Sequence, residues 1–159
     1  LLLDNGGNSM WIHAQKVQTL FAKIKRRFPQ DLKTYYFHNA IYDQVYEDEA
    51  RRKPLTLRKV MENSPDYRVF IVGDSYMAPH ELLSPFGSIE FREESSTPSL
   101  VNLKTIHEHF PYVVWINPTP KQYWNRTVAP YVQKIFRMEP LTINGIIEAA
   151  KYMNAIKHF

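Results

Sequence analysis

The chain has 159 residues, of which 44% are hydrophobic and 14% aromatic, and its formal net charge is +4. This size and composition are typical of a globular domain with its own core and exclude a disordered segment. The chain contains no cysteine, which excludes disulfides and thiolate metal sites and fits a reducing compartment.

The positive charge is concentrated at residues 23–27 and 51–53. We interpret these clusters as solvated faces and expect no nucleic-acid partner, because the first lies where cations suit the end of a helix. The sequence has no signal peptide and no membrane-spanning apolar run, so we expect a cytoplasmic protein. Only three apolar residues precede Asp4, which is short for a central strand, so we expect residues 1–159 to be one domain excised from a longer chain.

The first ten residues combine an apolar run, a carboxylate and a glycine turn. Leu1 to Leu3 predict a buried strand, Asp4 follows it, and small polar residues lead into a helix. Strand ends of open α/β sheets carry ligand sites, and a carboxylate beside the neutral oxygens of Asn8 and Ser9 suits Mg²⁺. The alternative is a plain turn in which Asn8 or Ser9 caps the helix.

The next elements alternate between helix and strand. Apolar residues at helical spacing predict one helix over residues 11–28, ended by Pro29, with Val17, Leu20, Phe21, Ile24 and Phe28 on its inner face. Residues 32–37 predict a strand, 38–40 a tight turn and 41–46 its antiparallel return strand. His38 in that turn is interpreted as structural. Residues 47–55 are charged and are expected to be extended or irregular.

A second strand end repeats the first pattern. Residues 68–72 predict a buried parallel strand, and Gly73, Asp74 and Ser75 follow it. If this strand lies beside the first, Asp4 and Asp74 converge at one edge of the sheet. The strand predicted at 41–46 runs away from that edge, and the nine residues 47–55 can span about 30 Å when extended. They can therefore return the chain to the same edge at Thr56. Thr56 as a simple helix N-cap is the alternative.

The remaining chain predicts further α/β units. We expect a helical turn at 79–83, an irregular insert at 84–98, a helix opened by Thr97 and Pro98, and a strand at 112–116. A rigid loop at 117–120, a helix at 127–136, a strand at 138–141 and a helix from Thr142 follow. This order predicts a three-layer, Rossmann-like α/β fold: a mostly parallel sheet with one antiparallel edge strand and helices on both faces.

Four blocks of the sequence resemble a known family, the von Willebrand factor type A (VWA) domains, and more closely their CoxE-like bacterial branch. The blocks are residues 4–10 (DNGGNSM), 36–39 (YFHN), 72–79 (VGDSYMAP) and 115–118 (WINP). The general VWA motif is Asp-x-Ser-x-Ser with a distant Thr and a distant Asp. This chain has Gly6 in place of the first Ser, and Ser9 lies five residues after Asp4 instead of four.

The resemblance implies a metal-ion-dependent adhesion site holding Mg²⁺ or Mn²⁺. Its implied metal ligands are Asp4, Ser9, Asp74, Thr56 and Asn8. Its implied partner-binding rim is Asn5, Gly7, Ser75 and Asn117.

The resemblance also implies a function without catalysis. Such domains mediate protein–protein contact through a partner carboxylate that completes the metal's coordination, and the CoxE-like branch is associated with MoxR-type AAA ATPases that assemble or activate client proteins. One alternative is a haloacid-dehalogenase-like phosphohydrolase with Asp4 as nucleophile and Asp74 holding magnesium, although Gly6 stands where that chemistry usually has a second acid. Another is a metal-free scaffold.

Overall fold

The computed structural model describes residues 1–27 and 29–156, and these form seven strands and seven α-helices. The strands are β1 (Leu2–Asp4), β2 (Tyr35–Phe37), β3 (Gln44–Tyr46), β4 (Pro54–Thr56), β5 (Val69–Val72), β6 (Val113–Asn117) and β7 (Arg137–Pro140). The helices are α1 (Gly7–Trp11), α2 (Ala14–Arg27), α3 (Leu57–Val60), α4 (Pro79–Leu83), α5 (Ser99–His109), α6 (Ala129–Val132) and α7 (Ile143–Ala155).

The strands form one sheet in the order β4-β3-β2-β1-β5-β6-β7. The pairs β1/β2, β1/β5, β5/β6 and β6/β7 are parallel, whereas β3 is antiparallel to both of its neighbours. The mostly parallel α/β sheet is therefore confirmed. The expected antiparallel strand is present as β3, but it is not at the edge, because β4 pairs outside it.

Two apolar layers cover the sheet, as the strand pattern requires. Along β6, Val113 and Trp115 enter one core, which contains buried residues of α3 to α6, and Val114 and Ile116 enter the other, beneath α1, α2 and α7. All five residues of β6 are buried. The three-layer arrangement with helices on both faces is confirmed.

The helix predicted over residues 11–28 is divided in the structure. It begins earlier, at Gly7, and Ile12 and His13 separate α1 from α2. Burial of Met10 against the sheet fixes the first turn although its residues are poor helix formers. Phe28 lies outside the described residues.

Other predicted boundaries also change. The strands expected over 32–37 and 41–46 have three residues each. The end of the 47–55 stretch, expected to be extended or irregular, forms β4 together with Thr56. The helix expected over 127–136 is reduced to α6: the Val128 amide bonds to the Ser75 carbonyl outside the helix, and Pro130 lies in the first turn, where proline is tolerated. None of the described helices has the length and hydrophobicity that crossing a bilayer requires.

Candidate functional site

Asp4 and Asp74 lie at the carboxyl ends of adjacent parallel strands. Asp4 is the last residue of β1, and Asp74 follows β5 by two residues, with Leu3 paired to Val72. A Cβ on Gly73 would lie 3.4 Å from the Asp4 Cβ and 3.6 Å from its Oδ2, so the Asp4 carboxylate lies beside the backbone that leads into Asp74. Asp4 and Asp74 thus lie at neighbouring strand ends of one sheet edge, and the charge of Asp74 acts on Asp4.

Each aspartate makes the same turn with the backbone that follows it. Asp4 Oδ1 accepts a hydrogen bond from the Gly6 amide at 3.0 Å, and Asp74 Oδ1 accepts one from the Tyr76 amide at 3.0 Å. Asp4 Oδ1 also accepts from the Asn39 amide at 3.0 Å. These bonds orient both carboxylates and engage one oxygen of each.

The second oxygen of each carboxylate is buried without a hydrogen-bond partner among the described residues. Asp4 is 3% exposed and Asp74 is 2% exposed, and the unpaired atoms are Asp4 Oδ2 and Asp74 Oδ2. A buried polar atom left unpaired costs about 1–3 kcal/mol. Two such atoms on neighbouring strand ends therefore require a proton, a water molecule or a cation.

The charge state of Asp4 reflects this environment. Burial and then the nearby charge of Asp74 raise the pKa of Asp4 well above its usual range, against the opposing effects of the Gly6 and Asn39 amides and of the Arg51 charge. A bound divalent cation would counter both of the effects that raise this pKa.

Two neutral oxygens near the aspartates in the chain are also buried and unpaired. They are Ser75 Oγ, on a wholly buried side chain, and Asn5 Oδ1, whose amide nitrogen donates to the Glu49 carbonyl at 2.7 Å. Ser75 has a left-handed backbone conformation, with φ of 57°. Both residues were predicted as partner-binding rim. Ser75 is buried, and its unpaired oxygen makes it a candidate metal ligand instead; the half-buried Asn5 stays a predicted rim residue whose unpaired oxygen can also act as a ligand.

The structure gives Asn8 and Ser9 different surroundings from those expected. Both lie inside α1, whose N-cap is Gly6 without a side-chain hydrogen bond, so the alternative in which they cap the helix is wrong. Asn8 is exposed, and Ser9 is half-buried, with its Oγ 3.8 Å from a Cβ placed on Gly7. Ser9 stays a predicted ligand on the first turn after Asp4.

Thr56 lies at the predicted edge of the sheet, but three strands away from Asp4. The strands β2 and β3 separate β4 from β1, which corresponds to roughly 14 Å at the usual strand spacing. The Thr56 hydroxyl accepts from the Lys59 amide at 3.3 Å and caps α3. The structure therefore supports the N-cap role and does not bring Thr56 to the aspartate pair.

The two other predicted rim residues, Gly7 and Asn117, differ in exposure. Gly7 is exposed, and its φ of +72° strains any side chain placed there. Asn117 is fully buried; its amide donates to the Asp74 carbonyl at 3.3 Å and accepts from the Thr119 amide at 2.9 Å. The placement of Asn117 on an exposed rim is therefore wrong, because its side chain fixes the two neighbouring loops.

Histidines flank the aspartate pair. The His38 ring packs against Gly6, where any Cβ would clash with it, and His38 Nε2 lies 3.7 Å from Glu90 Oε1. Burial lowers the pKa of His13, and the charge of Asp74 opposes this effect. His38 thus has the structural role that was predicted, and the charge of Asp74 acts at His13.

Two residues that lie in the VWA-like blocks, but for which no site role was predicted, hold the backbone around the site. Asn39 supplies the second amide to Asp4 from a left-handed conformation, and Trp115 Nε1 donates to the Gly73 carbonyl at 2.8 Å. The signals for Asn39 were its place in the predicted 38–40 turn and the readiness with which Asn adopts this conformation.

The donor set defines the kind of cation that fits. Within residues 1–27 and 29–156, no three or more His, Cys, Asp or Glu side chains are grouped to hold a metal. A cation at this edge would have two carboxylate oxygens, neutral oxygens and water as ligands. This is the oxygen-rich coordination that Mg²⁺ and Mn²⁺ accept, and it does not suit zinc or copper.

Compared with known proteins, the chain matches no protein-family model, no curated protein and no solved structure. The functional interpretation therefore rests on the geometry of this edge and on the four sequence blocks that resemble VWA domains. A fold by itself does not define a function, so the unpaired carboxylate oxygens are the main support for a functional proposal.

Proposed function

We propose that the chain is a divalent-cation-dependent protein-interaction domain of the VWA type, acting without catalysis. The observation that carries this proposal is the pair of buried, unpaired oxygens, Asp4 Oδ2 and Asp74 Oδ2, on adjacent strand ends. The sheet order, with parallel strands on both sides of β1 and an antiparallel β3, is compatible with it.

The residues fit Mg²⁺ or Mn²⁺ at this edge. Asp4 and Asp74 would hold the ion, with Ser75 and Asn5 supplying neutral oxygens and Ser9 available from the first turn of α1. When bound, the ion supplies a positive centre that accepts further oxygen ligands. The backbone amides of Gly6 and Tyr76 keep each carboxylate oriented so that its second oxygen remains available.

The partner class follows from the same chemistry. Mg²⁺ usually keeps several non-protein ligands, so a carboxylate of a partner protein can replace a water in its shell. The resemblance to the CoxE-like branch names a MoxR-type AAA ATPase, with assembly or activation of a client protein as the process. The lack of cysteine in this chain, and the ATP that such an ATPase partner requires, favour the cytoplasm as the place of this interaction.

Calorimetry tests the metal part of the proposal. EDTA-treated protein is dialysed and titrated with MnCl₂, and the wild type is compared with Asp4→Asn, Asp74→Asn and the control Asp31→Asn. Asp31 is exposed and lies before β2, at the opposite end of that strand from Asp4. We expect one binding event in the wild type and in the control, and none in the other two variants.

Two results would count against the proposal. Equal heats for the wild type and Asp4→Asn would remove Asp4 as a ligand, and no heat in the wild type would favour the metal-free scaffold. The partner step is tested with a purified MoxR-type ATPase. Capture should require Mg²⁺ and be lost in EDTA and with Asp74→Asn.

A further inference from the structure

A second surface of the molecule lies between α2 and α7 and does not include the aspartate pair. It is an open groove of about 670 Å³. Its apolar lining consists of Ile12, Leu20, Ile143, Ile146 and Ile147, with Leu141 at its base. Ile143 is 82% exposed, Ile12 is 71% exposed and Ile147 is 45% exposed.

Ile143 and Ile147 do not lie on the side of α7 that packs on the sheet, whereas Ile146 is half-buried and packs in part against the core. The α7 residues that pack inward are Gly145, Ala149 and Met153, all buried. Ile143 and Ile147 are one helical turn apart and form a second, exposed apolar stripe, with the half-buried Ile146 between it and the core. Single exposed isoleucines are common on protein surfaces, but several that share one groove mark an interaction site.

The groove carries charge of one sign. Lys16 and Lys23 are its charged lining residues, both are exposed, and neither has an ion-pair partner among the described residues. The sequence of α2 contains five basic residues and no acidic residue. An occupant of this groove therefore needs apolar side chains flanked by acidic ones.

We propose that the groove between α2 and α7 binds an amphipathic helix of a partner protein, with acidic residues flanking its apolar stripe. The apolar stripe would pack on Ile12, Ile143 and Ile147, and the acidic side chains would pair with Lys16 and Lys23. From position 12 to position 23 the groove runs along eleven residues of chain, roughly 16 Å, which matches about three turns of a bound helix.

The same charges disfavour a second copy of this chain as the occupant. Self-association through this groove would bring the basic face of one α2 against that of another, and like charges across an interface oppose association. The proposal also does not use Asp4 or Asp74, so it holds in EDTA and can fail independently of the metal site.

The probe for this test is a pair of fluorescein-labelled helical peptides of 14 residues. Both have leucine at positions i, i+3, i+4 and i+7, and one carries glutamate and the other lysine at the flanking positions. Fluorescence anisotropy in EDTA should show that the glutamate peptide binds at least about fivefold more tightly. Ile143→Glu should weaken its binding at least about tenfold, whereas the control Ile89→Glu, 61% exposed in the 84–98 segment, should not.

Charge reversal supplies a second, independent readout. Lys23→Glu should reduce the preference for the glutamate peptide, and the control Lys104→Glu, exposed on α5, should leave it unchanged. Absence of binding by the glutamate peptide, equal binding of both peptides, or equal loss in Ile89→Glu would overturn the proposal. A dimer in sedimentation velocity that Ile143→Glu dissociates would overturn it in favour of a second copy.

Discussion

Replacing Asp4 by asparagine should stabilise the metal-free protein at neutral pH. Asparagine keeps the oxygen that accepts from Gly6 and Asn39, and its amide nitrogen takes the position of the unpaired Oδ2, from which it can donate to Asp74. The substitution thus removes a buried charge and pairs an orphaned atom without a change of shape.

The magnitude follows from the strand geometry. Adjacent strands and one residue of rise place the two Cα atoms roughly 6 Å apart, and we take this distance as the scale of the separation between the two charges. Two unit charges at that distance repel by about 3 kcal/mol at an effective dielectric constant of about 20. Partial protonation of Asp4 relieves part of this repulsion, so we expect Asp4→Asn to raise the free energy of unfolding by about 1–3 kcal/mol, or the melting temperature by about 3–10 °C.

The raised pKa of Asp4 determines how the stability effect of Asp4→Asn changes with pH. The pKa of Asp4 is raised in the folded state, so the folded protein binds this proton more tightly than the unfolded chain. The resulting stability is fully present below the unfolded value near 3.8 and is lost as the pH rises through the folded value. The advantage of Asp4→Asn should therefore grow from acidic to neutral pH.

Urea unfolding in EDTA at several pH values checks this expectation, with Asp31→Asn as the exposed control, which should change stability by less than about 0.5 kcal/mol. In MgCl₂ the order should reverse, because the wild type alone gains binding energy. Destabilisation by Asp4→Asn in EDTA, or an effect independent of pH, would refute the reasoning.

Three further substitutions test how the edge is supported. Gly6→Ala should destabilise the protein by about 1–3 kcal/mol in urea unfolding, because its Cβ clashes with the His38 ring; an unchanged midpoint would contradict this packing. Trp115→Phe removes the donor to the Gly73 carbonyl, so we expect a loss of about 1–3 kcal/mol and weaker Mn²⁺ binding by calorimetry, and unaltered metal affinity would separate Trp115 from the site. Thr142→Ala removes the side-chain cap of α7 and should cost about 1 kcal/mol in thermal unfolding without altering Mn²⁺ binding.

The sequence was sufficient to predict the mostly parallel sheet and the placement of Asp4 and Asp74 at one edge of it. Continuous apolar runs identified β5 and β6, and repetition of a strand end followed by Asp identified the edge. This worked because a buried parallel strand requires apolar residues on both faces, and the direction of each strand constrains the next.

Thr56 shows where such reasoning stops. Counting strand directions placed it correctly at the upper edge, but it gave no lateral position. The three residues of β4 pair outside β3 through contacts that the charged stretch 47–55 does not indicate. Whether two residues at one edge meet depends on strand order, which is set by the packing of the whole chain.

The burial of Ser75 and Asn117 was equally inaccessible from local sequence. Both are small polar residues of a kind that usually marks exposed turns. Here the Ser75 carbonyl accepts from the Val128 amide, and Asn117 bridges Asp74 to Thr119, so a later segment of the chain covers them. A local pattern carries no information about such coverage.

The residues that hold the backbone at this sheet edge have their polar groups hydrogen-bonded, whereas each of the two carboxylates keeps one oxygen unpaired among the described residues. Trp115, Asn117 and the Asn39 amide each make a hydrogen bond that satisfies one group and fixes another. The aspartates instead retain unpaired oxygens inside the structure that these bonds make rigid. Because the surrounding backbone is already fixed, it cannot relax to satisfy them, and a cation that binds there recovers this cost without first having to order the site.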